Sequence, residues 1–134
     1  MDYNEFWTRV HIWVGNNFDI NFHKYFELDN SLDKDIYDDD YQVCGFCKDI
    51  GEKIYLEDLF GVVQNETKLD IRSLLIEVPG ISDLVLSEII EVCNKKEISE
   101  ANAMFYYANP NLSIKKNDKL YNKLAYIGLF DADL

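Results

Sequence analysis

The sequence predicts an α+β domain in which helices pack on a small, mostly antiparallel sheet. Some segments alternate apolar and polar residues, as strands do, and others repeat apolar residues at helical spacing. The two kinds of segment do not alternate strictly along the chain, which argues against a parallel sheet of strand–helix–strand units. The chain has 134 residues, of which 48% are hydrophobic, and this is enough for a real core. We therefore expect one domain over residues 1–134.

The first predicted element is a strand over residues 7–14. Its alternating positions form two faces, Thr8, Val10, Ile12 and Val14 on one and Trp7, Arg9, His11 and Trp13 on the other. The turn formers Gly15-Asn16-Asn17 end the strand. Asp19 is then expected to cap a short helix, which carries Phe22, Tyr25 and Phe26.

Three further helices are predicted from apolar spacing and from caps. The first is closed by Gly51, and its apolar face is Val43, Phe46, Cys47 and Ile50. The second runs over Leu69–Val78, where Pro79-Gly80 stops it. The third is longer and capped by Ser82, and its apolar stripe is Val85, Leu86, Ile89, Ile90 and Cys93.

Three more strands are predicted from β-branched and aromatic residues, over Ile54–Val63, Ala103–Ala108 and Leu124–Phe130. A polar loop lies between the last two strands and bears four lysines, Lys115, Lys116, Lys119 and Lys123. The residues expected in or near the core are Val10, Ile12, Val14, Phe105, Ile127 and Leu129.

Charge and composition restrict the partners. The net charge is −12, and a field of that sign repels phosphate backbones and anionic membranes. We expect no direct binding of nucleic acid or membrane, whereas a basic protein partner fits. The chain has no run of 18 apolar residues, an acidic N-terminus unlike a signal peptide, and an odd count of three cysteines. These features predict a cytoplasmic protein with free thiols; its oligomeric state stays open.

An acidic stretch laced with tyrosines lies in the first half of the chain. Between Glu27 and Asp58 there are eleven Asp or Glu residues and three lysines, with the highest density over residues 35–41. Such a stretch is commonly a solvated surface that keeps a protein soluble, and the charge alone favours that interpretation. The tyrosines favour a binding surface, because carboxylates steer a basic partner while aromatic rings supply contact area.

Cys44 and Cys47 form a CxxC pair, which can be a redox site or half of a zinc site. No second pair exists, and Cys47 lies in the apolar stripe of a predicted helix, so packed structural thiols are favoured. The two histidines, His11 and His23, have no neighbouring nucleophile, and we interpret them as surface or hydrogen-bonded residues. We therefore expect no catalytic residue, no metal and no cofactor.

Several segments, in order, resemble the immunity-22 family of bacterial polymorphic-toxin systems. The segments that carry the resemblance are Ile12–Asn16, Tyr25–Leu28, Asp38–Asp40, Phe46–Asp49, Tyr55–Phe60, Asn102–Tyr107 and Leu124–Phe130. The ordered set runs nearly end to end, although Pro110 and the four-lysine loop have no counterpart in the pattern.

The resemblance implies a non-enzymatic inhibitor that binds a cognate toxin domain and neutralises it. The toxin would be basic, and a nuclease is one such target because its substrate groove must be basic. The residues expected to bind it are the anchors Tyr37 and Tyr41, the carboxylates Asp38, Asp39 and Asp40, and the nearby Glu57 and Asp58. Two alternatives stay open: a small CxxC redox or zinc-binding protein, and a general nucleic-acid-mimic inhibitor.

Overall fold

The structure is a computed structural model that describes residues 6–28, 42–116 and 118–133. Within these residues five strands form one sheet: β1 (Arg9–Gly15), β2 (Phe60–Asp70), β3 (Glu100–Tyr107), β4 (Leu120–Tyr121) and β5 (Leu124–Asp131). Their order is β2-β3-β1-β5-β4, and all neighbours are antiparallel. The helices are α1 (Gly45–Ile50), α2 (Ile71–Leu75) and α3 (Asp83–Lys95), with two 3₁₀ helices, Phe22–Phe26 and Glu57–Leu59. This is the predicted α+β class.

Strand β1 is central and confirms the strand predicted over residues 7–14. It pairs with β3 on one side, where Trp13 lies opposite Phe105, and with β5 on the other, where Trp13 lies opposite Tyr126. Every residue from Val10 to Val14 is buried. Because successive side chains of a strand point to opposite faces, the sheet is covered on both sides.

Aromatic side chains form a large part of the core on one face of the sheet. The Trp13 ring stacks on Phe105 with centroids 4.5 Å apart and meets Phe46 edge-on at 5.6 Å. Phe46, on α1, also contacts the rings of Phe26, Tyr55, Phe60 and Phe105. We call this group the aromatic cluster; its members are Trp13, Phe26, Phe46, Tyr55, Phe60 and Phe105. Such packed rings contribute beyond the area they bury, so α1 is firmly held on the sheet.

Two predicted helices are confirmed at their caps. The Sγ atom of Cys44 accepts a hydrogen bond from the Cys47 backbone at the start of α1, and Gly51 ends the helix with a φ of 80°. That left-handed conformation suits glycine, which has no Cβ. Ser82 caps α3 by accepting from the Val85 backbone N–H. The predicted cap at Asp19 is wrong, because its carboxylate accepts from the Asn21 backbone two residues on, before the 3₁₀ helix begins.

The segment between α1 and α2 differs most from the prediction. The predicted strand over Ile54–Val63 begins only at Phe60, because a 3₁₀ helix precedes it, and it continues to Asp70. The predicted helix over Leu69–Val78 shrinks to α2, since Leu69 and Asp70 pair with β3 instead. Strand β4 has no counterpart among the predictions.

The strands β3 and β5 confirm the two predicted near the end of the chain. The predicted core is confirmed for its buried members, which are Val10, Ile12, Val14, Phe105 and Ile127. Leu129 is half-buried. Ile127 occupies a β-bulge, where the register of β5 against β1 shifts between Ile12 and Trp13. None of the helices in the described ranges is long and apolar enough to cross a membrane.

His11 is buried in the middle of β1, with 1% of its surface exposed. Its Nε2 lies 3.0 Å from the carbonyl of Asn109 and its Nδ1 lies 2.8 Å from the hydroxyl of Tyr126. A carbonyl can only accept, so Nε2 carries the proton and Nδ1 accepts from Tyr126. His11 is therefore a hydrogen-bonded histidine and His23 is exposed, which confirms the interpretation of both from the sequence.

The buried His11 is expected to make stability depend on pH. Burial lowers the pKa of His11 from its ordinary value of 6.5, because an imidazolium there would lose its hydration. The unfolded chain therefore binds the proton first as pH falls. The stabilisation from neutral His11 is complete above pH 6.5 and is lost in the window between 6.5 and the lower folded pKa. Below 6.5 the loss is at most about 1.4 kcal/mol per pH unit.

Urea unfolding between about pH 7.5 and about pH 5.5 measures this dependence. We expect His11→Gln to flatten the slope, since the titrating group is gone, while the exposed His23→Gln keeps it. Equal slopes in the wild type and His11→Gln would show that other groups cause the dependence.

Candidate functional site

The aromatic cluster joins the described segments that flank the densest part of the acidic stretch. The residues expected to bind a toxin, Tyr37, Asp38, Asp39, Asp40 and Tyr41, lie outside the described residues. Before them the chain passes Phe26, and after them it enters α1, which carries Phe46. The Phe26 and Phe46 rings contact each other at 5.9 Å. The two described flanks therefore meet on one hydrophobic base.

Tyr55 brings a third part of the chain to the same base. Its hydroxyl donates to the backbone carbonyl of Phe26 at 2.6 Å, and its ring meets Phe46 edge-on at 5.3 Å. Glu57 follows two residues later, and two residues span at most about 7 Å. The 3₁₀ helix that carries Glu57 and Asp58 thus starts beside the point where the acidic stretch leaves the first 3₁₀ helix.

Glu57 and Asp58 are both exposed, while the next residue, Leu59, is buried. The turn is fixed by its backbone: the Leu56 N–H donates to the Tyr107 hydroxyl at 3.0 Å, and the Leu59 carbonyl accepts from Ala108 at 2.8 Å. These contacts hold two solvated carboxylates in a fixed position. Such a pair suits long-range attraction of a cation.

A polar contact joins α1 to the four-lysine loop. The Asp49 carboxylate accepts hydrogen bonds from the Tyr25 hydroxyl and from the Lys119 ammonium. Burial, and then the Asp49 carboxylate, raises the pKa of Tyr25, which keeps the hydroxyl a donor. Asp49 is thereby neutralised by Lys119, and its charge adds little to the field of the acidic stretch.

A cavity of about 360 Å³ lies between the end of α1 and residues 111–116. Three exposed lysines line it: Lys48, Lys115 and Lys116. The four-lysine loop, which has no counterpart in the family pattern, therefore folds against α1. Asp49 and Glu52 also line the cavity, so it carries charges of both signs.

The CxxC pair is part of the core. Cys44, Cys47 and Cys93 are free and buried. Hydrogen bonds from Cys47 lower the pKa of the Cys44 thiol, as expected for a sulfur that caps a helix, and the same contact with burial raises the pKa of Cys47. In the part of the chain that the structure describes, no group of three His, Cys, Asp or Glu side chains is placed to hold a metal ion.

Buried amides form a network that sequence reasoning missed. Asn17 and Asn102 are both buried, and the Asn17 backbone N–H donates a hydrogen bond to the Asn102 side chain. Asn122 accepts from the Asn17 side chain, and Gln64 donates to the Asn17 carbonyl. Asn17 was expected only as a turn former. The available signal was Asn102, a single amide directly before the predicted strand Ala103–Ala108, because a polar group that the strand carries into the core must find partners.

Two large apolar residues next to this network face solvent. Phe18 is 55% exposed and Ile20 is 94% exposed. Sequence reasoning passed over both because they lie between turn formers. Their signal was their position, since an Asn- and Asp-rich turn has no need of bulky apolar side chains.

A profile of a family of immunity proteins matches residues 10–133 of the chain. The family is described as Immunity protein 22, and because the match covers nearly the whole length, the protein belongs to it. No curated protein and no solved structure matches the chain. The family confirms the resemblance found from the sequence, supports the role of an immunity protein and implies a toxin as partner.

Proposed function

We propose that the protein is a non-enzymatic inhibitor, and that it binds its cognate toxin domain through one acidic surface. We define the acidic surface as Tyr37, Asp38, Asp39, Asp40, Tyr41, Glu57 and Asp58. The observation that carries the proposal is the shared base: the flanks of the acidic stretch and the Glu57–Asp58 turn all meet on the aromatic cluster. This base supports a binding role, because the Glu57–Asp58 turn is held in place before a partner arrives and its backbone loses less freedom on binding.

The charge of the acidic surface supports a basic toxin as the partner. If the toxin is a nuclease, its groove binds phosphates, and a row of carboxylates can occupy the same positions as a phosphate surrogate. Complementary charge raises the association rate constant from about 10⁵–10⁶ toward 10⁸–10⁹ M⁻¹s⁻¹ at low salt. Tyr37 and Tyr41 would supply the apolar contact that keeps the complex together, within an interface of about 1,600 Å².

The organisation of the chain fits this role. Buried residues from Trp7 to Ile127 belong to one core, which supports a single domain over residues 1–134. The three cysteines are free, as expected for a protein that acts in the cytoplasm.

Capture from the native lysate tests the proposal. The tagged protein is washed at low and at high salt, and the retained proteins are identified by mass spectrometry. We expect one partner that carries a basic toxin domain and survives high salt, because apolar contacts are not screened.

The other outcomes contradict the proposal in different ways. Many basic proteins lost together at high salt would indicate a general nucleic-acid mimic. If no partner is retained, elemental analysis for zinc and titration of the thiols would test Cys44 and Cys47. A bait with Asp38, Asp39 and Asp40 changed to Asn should retain less of the partner at low salt, whereas a matched bait with Glu77, Glu88 and Glu91 changed to Gln loses the same charge from exposed sites elsewhere and should retain it.

A further inference from the structure

We propose that the loop from Asn17 to Asn21 is a second docking site for the toxin, distinct from the acidic surface. In this proposal Phe18 and Ile20 contact an apolar side chain of the toxin that lies next to a lysine or arginine. The inference rests on the proposed function, because it assumes a toxin partner. We call this segment the Phe18–Ile20 loop.

The exposure of the Phe18–Ile20 loop is the first observation. Single exposed apolar residues are common and need no explanation. Here two large ones lie two positions apart, and together with Gln64, Asn65 and Glu66 they line a shallow cavity of about 360 Å³. An exposed apolar pair beside a concave surface offers a place where an anchor side chain of a partner can pack.

The second observation is that hydrogen bonds from two strands, two of them buried, hold the backbone of this loop. The Asn17 N–H donates to Asn102 Oδ1 at 2.6 Å, and Asn102 Nδ2 donates back to the Asn17 carbonyl at 2.7 Å. Gln64 Nε2 donates to the carbonyls of Asn17 and Asp19 at 2.9 and 3.1 Å. Backbone positions on both sides of Phe18 are thus fixed from β3 and β2.

The Asn17 side chain also fixes the loop, through Asn122 in the turn between β4 and β5. Its Oδ1 accepts from the Asp19 N–H at 2.9 Å, and its Nδ2 donates to the Asn122 carbonyl at 2.9 Å. Asn122 in turn donates to the carbonyl of Phe22 at 3.0 Å. A loop that only connects two elements needs no such support. Holding Phe18 and Ile20 outward in advance lowers the entropy cost of binding.

The charges around the loop define the chemistry of the partner. Asp19 and Glu66 are exposed and line the cavity. Among the described residues that line this cavity there is no Lys or Arg. An apolar side chain of the toxin next to a cation would therefore meet both an apolar contact and an opposite charge. This agrees with the basic toxin expected from the acidic surface.

Replacing both apolar residues tests the inference. Phe18→Ser with Ile20→Ser is compared with the control Ile76→Ser with Leu84→Ser, which removes two other apolar residues that are 63% and 72% exposed. The probe is the purified cognate toxin domain identified by the capture experiment, inactivated at its own catalytic residue. We expect the Kd to rise about 100-fold in the loop variant, mainly through faster dissociation, and less than about 3-fold in the control.

The outcomes separate this inference from the proposed function. An unchanged Kd in the loop variant would overturn the docking site and leave the acidic surface standing, whereas a wild type that binds no toxin domain would overturn both. Unfolding temperatures check that the loop variant is folded, and Ile20→Ala alone is the milder second variant. Self-association of the wild type that Ile20→Ala abolishes, measured by sedimentation, would assign the loop to a contact between copies and would also overturn the inference.

Discussion

Replacing Trp13 with alanine is expected to destabilise the protein by about 3–5 kcal/mol. The side chain is fully buried in the central strand, stacks on Phe105 and meets Phe46 edge-on. Its removal takes away these contacts and leaves a cavity that the two neighbouring strands hold open. Domains are stable by only about 5–15 kcal/mol, so the variant would be marginal.

Urea unfolding followed by circular dichroism measures this loss. Trp13→Phe is the matched control: it keeps a ring for the stack, and it removes an indole N–H for which the described residues offer no acceptor. We expect the phenylalanine variant to lose much less stability than the alanine variant. A loss below about 1 kcal/mol in Trp13→Ala would mean that the core collapses around the gap and that the aromatic cluster is not the main support of the fold.

Changing Asp38, Asp39 and Asp40 together to Asn is expected to slow association with the toxin domain by about 10- to 100-fold at low salt. The substitution keeps the size of each side chain and removes three charges. Because the lost term is long-range attraction, the difference should shrink as ionic strength rises, and the salt dependence of the rate should flatten.

Stopped-flow or surface-based kinetics at several salt concentrations measures the effect. The control changes Glu77, Glu88 and Glu91 to Gln, which also removes three negative charges but from exposed sites on or before α3. If both variants slow association equally, net charge alone is responsible. If neither does, the aspartates have no part in the mechanism.

The strands that pack on both faces were the most predictable part of the fold. Val10, Ile12 and Val14 alternate with less apolar residues, and this period of two predicts strand β1 without any knowledge of its neighbours in the sheet. What local pattern could not predict is that the opposite face is buried too. His11 is tolerated there only because Tyr126 and Asn109, distant in sequence, satisfy its two nitrogens.

Strand β2 shows where local pattern fails. Its second half, Gln64–Lys68, is polar and partly exposed, because among the described strands β2 lies at the edge of the sheet. Edge strands need not be apolar, so the sequence carries little sign of them. Leu69 and Asp70 fit a helix equally well by spacing, and pairing with β3 decides between the two.

The candidate site divides in the same way. The charge and the tyrosines of residues 35–41 are visible in composition, whereas the meeting of Phe26, Phe46 and Tyr55 in space depends on tertiary packing. The exposure of Ile20 likewise could not be read locally. Its neighbours in the turn gave a signal, but its 94% exposure follows from how the loop is placed on the sheet, where Asn102 and Gln64 hold the backbone of Asn17 and Asp19.

The order of the strands has a consequence for when protection begins. The central strand β1 is made early in synthesis, but both of its neighbours, β3 and β5, lie toward the end of the sequence. Val10 pairs with Phe130, and ribosomes add roughly 5–20 residues per second. A nascent copy therefore spends on the order of ten seconds without its core, and such long-range pairing is also slow to fold. On the proposed function, a cell that meets the toxin is protected by the copies it has already finished, and the standing supply of folded protein sets its resistance.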